Sequence, residues 1–137
     1  GETFFPELAA LPDPVKPEIV TVAYGTNDWN VCTREHFDKS CREFYENVCR
    51  TYPNSKIFAI TPTWRADNDR ETKFGAPHAE LDGIIRGLIS DLPVSILSGY
   101  SLLPRVRSFF ADEYLHPNDL GFSVYARELL KQIKKYL

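Results

Sequence analysis

The chain has 137 residues, 43% of them hydrophobic and 26% charged, and a formal net charge of −3. That length and composition fit one globular domain over residues 1–137, with enough apolar material for a core that needs neither disulfides nor a structural metal. Both charge signs are interspersed and no apolar run reaches bilayer length, so neither nucleic acid nor a membrane is expected as a partner.

Residues 4–11, from Phe4 to Leu11, fit one or two helical turns. Residues 18–24 are a short apolar run rich in β-branched types and read as a buried strand. From Thr33 to Tyr52 the apolar positions Phe37, Cys41, Phe44, Tyr45, Val48, Cys49 and Tyr52 fall on one helical stripe, ended by Pro53-Asn54. Lys56 to Thr61 is the next predicted strand, closed by Pro62. A second helix places Leu81, Ile84, Ile85, Leu88, Ile89 and Leu92 on one face before Pro93, and Val94 to Ser98 forms a third strand. From about Asn118 a last helix sets Phe122, Tyr125, Ala126, Leu129, Leu130 and Ile133 on one stripe. Its terminal Lys131, Lys134 and Lys135 suit the negative end of the helix dipole.

Strands alternating with helices predict an α/β fold, with a parallel sheet and helices packed on its faces. The three cysteines read as unpaired. Cys41 and Cys49 sit on one helix about 12 Å apart along its axis, too far to bridge, and free thiols favour a reducing, cytoplasmic compartment. No spacing of Cys and His marks a metal site. The sequence contains no methionine, so Gly1 is expected to follow a processing cut or to begin a piece of a longer chain.

In a parallel sheet, ligands bind beyond the carboxyl ends of the strands. Three loops leave that edge: residues 25–31, 62–75 and 99–117. The last two are longer than an α/β connection requires. The topology therefore brings Asn27, Asp28, Trp64, Arg65, Asp112, Glu113 and His116 to one rim. A carboxamide on a strand-end turn can donate to developing negative charge. A histidine stiffened by a following proline, with a carboxylate three or four residues before it, can serve as a base. Those are three parts of an acyl-transfer site, without the nucleophile.

The stretches "GTND" at 25–28 and "DEYLHPND" at 112–119 resemble the GxND and DxxHPN blocks of the SGNH (GDSL-type) esterase and lipase superfamily. The resemblance runs from about Ile19 to the C-terminus. It implies a three-layer, flavodoxin-like parallel sheet and a serine acyl-enzyme route without metal or organic cofactor. It also implies an oxyanion hole at Asn27 and Gly25, His116 as general base, and a carboxylate partner for the imidazole. Asp28 is expected to hold the turn. The family's acidic position, three before the histidine, is Glu113 here, while Asp112 lies four before; either can fill the role.

No GDS block is present, so the nucleophilic serine and the first β-α portion are expected upstream of Gly1 or on a second chain. Until such a segment covers it, strand 19–24 has an open edge, which is an aggregation hazard. Within the chain, Ser98, Ser101 and Cys32 are weaker candidates, because none sits on a sharp strand-to-helix elbow. A rim with Trp64, Arg65 and Tyr100 as substrate contacts suits a short acyl group on a polar carrier, such as an acetylated carbohydrate, although Trp64 fits a satellite core equally. His36 and His78 read as solvated, and the run 67–71 as surface charge. The rival reading is an esterase-like shell acting as a non-catalytic binding module. A nucleotide-binding domain is disfavoured because no Gly-rich phosphate loop follows any strand.

Overall fold

The computed structural model describes residues 2–137. Its three strands, β1 (Ile19–Val22), β2 (Lys56–Ile60) and β3 (Val94–Leu97), form one parallel sheet in chain order. Val20 lies opposite Ile57, and Ala59 opposite Ile96. The helices are α1 (Pro6–Ala9), α2 (Thr26–Val31), α3 (Arg34–Thr51), α4 (Leu81–Ile89) and α5 (Asp119–Ile133). Among the described residues no helix is long and apolar enough to cross a membrane.

Side chains on a strand point alternately to opposite faces, and β2 divides its residues accordingly. Ile57 and Ala59 join the larger core with Phe37, Cys41, Phe44 and Val48 of α3 and Leu81, Ile85 and Ile89 of α4. Phe58 and Ile60 face the other way, into a second core with Leu97 and Leu102, closed by Tyr125, Leu129 and Ile133 of α5. The result is a three-layer α/β fold. Thr33 caps α3 by accepting from the His36 N–H at 3.3 Å, and Asn118 caps α5 by accepting from the Gly121 N–H at 2.9 Å.

Thr61 ties the carboxyl ends of two strands together. Its hydroxyl donates to Asp82 Oδ1 at 2.6 Å and accepts from the Gly99 N–H at 3.0 Å. Gly99 lies so close that a Cβ there would sit 2.0 Å from the Thr61 carbonyl oxygen. This contact brings the loops after β2 and β3 to the same rim.

Two sequence expectations are corrected. Residues 25–31, expected as a loop, are mostly the short helix α2, which starts at Gly25 (φ 117°) and carries Asn27 and Asp28. The predicted stripe of α5 is only half covered. Phe122 and Leu130 are 58% and 52% exposed. The reason is the width of the sheet: β1 pairs only with β2 among the described residues, and its Ile19 and Thr21, with Ala23 just beyond it, are exposed. All three cysteines are free, Cys41 buried and Cys32 and Cys49 half-buried.

Candidate active site

Asn27 and Asp28 lie in the first turn of α2, at the carboxyl end of β1. The Asn27 carboxamide nitrogen donates to the main-chain carbonyl of Glu2 at 3.0 Å. Asp28 is fully buried, and its Oδ1 accepts from the Phe4 N–H at 2.9 Å, while Oδ2 has no partner among the described residues. Burial pushes the Asp28 carboxyl above its ordinary range. The expectation that Asp28 holds the turn fits this placement in the interior.

The other motif is built almost entirely from its own neighbours. Asp112 Oδ1 accepts from the N–H groups of Tyr114, Leu115 and His116 at 2.8–3.0 Å. Its second oxygen lies 2.6 Å from His116 Nδ1. Desolvation, which raises the Asp112 pKa, is outweighed by these hydrogen bonds, from Leu115 and Tyr114 above all, and the carboxyl stays well below the usual range. It is therefore ionised at neutral pH, and His116 Nδ1–H donates to it, leaving Nε2 free. His116 itself is open to solvent, with 73% of its side chain exposed.

Of the two open alternatives, Asp112 is the carboxylate that meets the imidazole. Glu113 adopts φ 63°, the left-handed conformation that lets the extra residue bulge out of the loop. Its side chain is exposed, and its carbonyl accepts a long 3.4 Å contact from Arg107. A one-residue bulge thus brings the residue four before the histidine into reach.

The proposed substrate contacts are placed differently from one another. Arg65 is 4% exposed, bonded through two nitrogens to Asp67 at 2.6 and 2.9 Å, with its guanidinium 4.9 Å from the Trp29 ring. It builds the loop rather than the open rim, and half-buried Asp67 is correspondingly its partner rather than part of a solvated charge run. Trp64 is half-buried with its ring 5.5 Å from Phe110, at the base of the His116 loop. The Tyr100 hydroxyl lies 3.3 Å from His78 Nδ1.

His78 overturns the expectation of a solvated side chain. It is fully buried, with Nε2 3.2 Å from the Thr26 hydroxyl and its ring edge-on to Trp29. Burial, and then the nearby Arg65, push its pKa down to about 4, so it is neutral at physiological pH. One histidine links the loops after all three strands. No local pattern marks it in the sequence, since its partners lie 22 and 52 residues away.

Thr26 and Pro117, the chain neighbours of Asn27 and His116, line one cavity of about 220 Å³, with Ala23, Tyr24, Phe122 and Tyr125. The two motifs therefore border the same hollow. Ser98 and Ser101 line a different one, against Lys131 and Gln132. Burial raises the Cys32 thiol pKa, away from the reactive thiolate.

No protein-family model and no curated protein matches the chain. Solved structures match by fold. A Bacteroides ovatus protein named provisionally as a GDSL-like lipase superposes with TM-score 0.76 at 16% identity, over 96% of this chain and 40% of its own. A family 3 carbohydrate esterase from Talaromyces cellulolyticus gives 0.63 at 19% identity, over 89% and 61%. A salicylyl-acyltransferase from a tetracycline biosynthetic pathway gives 0.73 at 16% identity, over 94% and 42%. The chain therefore has the fold of the SGNH (GDSL-type) hydrolases. It spans between about two fifths and three fifths of the length of these three structures.

Proposed function

We propose that this chain carries the oxyanion and base portions of a serine esterase that removes short acyl groups, acetyl foremost, from a carbohydrate or similar polar carrier. The observation that carries this reading is the shared cavity, lined by Thr26 on one side and Pro117 on the other. The carbohydrate specificity of the Talaromyces esterase supports the choice of carrier.

In this mechanism a serine hydroxyl attacks the ester carbonyl while His116 Nε2 takes its proton. Asp112 holds the imidazolium that forms, and the Asn27 carboxamide donates to the tetrahedral oxyanion. His116 returns the proton to the departing alcohol, leaving an acyl-enzyme that water hydrolyses by the same base. The serine is supplied by a segment seated against the open side of β1, where Ile19, Thr21, Ala23 and Phe122 lie exposed.

Two readings of the complete open reading frame test the proposal. The codons before Gly1 are expected to encode an apolar strand ending in Gly-Asp-Ser. The encoded protein is expected to release acetate from an acetylated sugar and to be labelled by a fluorophosphonate at that serine. An initiator codon abutting Gly1, with no labelling and no acetate release, would make the chain a binding module instead.

A further inference from the structure

We propose that residues 2–10 form a strap that aims the Asn27 carboxamide, with Phe4, Asp28 and Asn47 as positioning residues. The proposal deepens the esterase reading in naming what the aim is for; the strap itself stands on contacts alone.

A primary carboxamide has two N–H donors and a broad torsion at its last bond, so an unrestrained asparagine makes a poor oxyanion donor. Asn27 is restrained. One hydrogen of its amide is taken by the Glu2 carbonyl at 3.0 Å, which fixes the amide plane and leaves the second hydrogen to point elsewhere. The neighbouring side chain grips the same segment, Asp28 Oδ1 accepting from the Phe4 N–H at 2.9 Å in the interior.

Helix α3 holds the rest of the strap. Asn47 donates to the Pro6 carbonyl at 2.7 Å, its own oxygen accepting from Arg50, and the Thr51 hydroxyl donates to the Ala9 carbonyl at 2.8 Å. Outside the single turn of α1 the segment has no regular structure, so these side chains replace the partners a strand or helix would give its main chain. Phe4 anchors the whole: it is 3% exposed, with its ring 5.4–5.7 Å from Tyr24, Phe37, Phe44 and Tyr45. All four polar tethers span 24 or more residues in sequence. Pulling the strap away frees the donor without touching Asn27 itself.

The test is side-chain hydrogen exchange at Asn27, followed by NMR in the wild type, Phe4→Ala, Phe4→Leu and Asn47→Ala. In the wild type the Asn27 carboxamide is expected to exchange slowly and to show two well-separated proton shifts. In Phe4→Ala its exchange rises about tenfold or more and the shifts converge, while the backbone amides of Phe58 to Ile60 keep their protection. Phe4→Leu recovers part of the effect. Asn47→Ala, which leaves the aromatic cluster whole, moves Asn27 in the same direction by a smaller factor. In the protein encoded by the complete reading frame, Phe4→Ala lowers kcat by about the same factor with KM little changed.

A wild-type Asn27 carboxamide that exchanges like a free one overturns the proposal, and this reading needs no variant to fold. So does a folded Phe4→Ala or Asn47→Ala in which Asn27 is unmoved. If no ester is hydrolysed at all, the esterase reading falls and the exchange data still decide the strap. If hydrolysis persists while Asn27 ignores the strap, only the strap falls.

Discussion

The two turns that border the cavity are held in opposite ways. The Asn27 turn is fixed by distant parts of the chain: Phe4 and Glu2 from one side, His78 through Thr26 from another, and Trp29 beneath it with its indole N–H on the Ala76 carbonyl at 2.8 Å. The His116 turn is fixed mainly from within, with one tether from outside, the Ala66 N–H donating to the Tyr114 carbonyl at 2.9 Å. Asp112 closes a loop of five residues on itself, and Asn118 starts the next helix, its amide also bracing the Ser108 carbonyl. An oxyanion donor has to be rigid before charge develops, whereas a base that hands protons on benefits from an accessible ring. The difference in anchoring suits the two tasks proposed above for Asn27 and His116.

Breaking the first turn is therefore expected to cost global stability, and breaking the second to cost little. Trp29→Ala removes a fully buried ring under two guanidinium groups and is expected to lower unfolding free energy by about 3–5 kcal/mol, read from the urea midpoint. His78 gives the next effect, as a pH dependence. Its folded pKa of about 4 lies below the ordinary 6.5, so the unfolded chain binds the extra proton between those values. Stability contributed by the neutral ring is complete above pH 6.5 and is lost as pH falls to 4, up to about 3 kcal/mol in all. Asp28, raised by burial, acts with the opposite sign, so the measurement is the difference between the wild-type pH slope and that of His78→Gln.

The His116 side sharpens the contrast. Asp112→Ala removes three main-chain caps and is expected to cost about 1 kcal/mol, with faster amide exchange confined to residues 113–116. Because its folded pKa is depressed, Asp112 keeps this loop ordered down to the ordinary carboxylate pKa and releases it only below. His116→Ala, on an exposed ring, should change the unfolding free energy by no more than about 0.5 kcal/mol, read from the urea midpoint.

The same contrast explains what the sequence reveals. The His116 turn is legible because its parts are contiguous: an acid, a left-handed residue, a histidine and a helix cap within eight positions. Even so, only the φ of Glu113 decides which acid meets the ring. The strands and the α3 and α4 stripes are equally plain, since their periodicity is local. His78 is hidden because its burial comes from Trp29, Thr26 and Tyr100, and Arg65 reads as a free rim charge because its cover lies at Trp29. The strap is hidden for the same reason, its tethers reaching back from Asn27, Asp28, Asn47 and Thr51. The exposed half of the α5 stripe goes with a sheet in which, among the described residues, β1 has a partner on one side only.

The central claim, that Asn27 and His116 serve one reaction, is tested most directly by the acetylesterase activity of the protein encoded by the complete reading frame. Asn27→Ala and His116→Ala are compared with the wild type at equal folded concentration. The expected result is a fall in kcat of about 10²–10³ for Asn27→Ala and at least as much for His116→Ala, with both variants fully folded. A folded variant of either kind that hydrolyses within about threefold of the wild type would contradict the account.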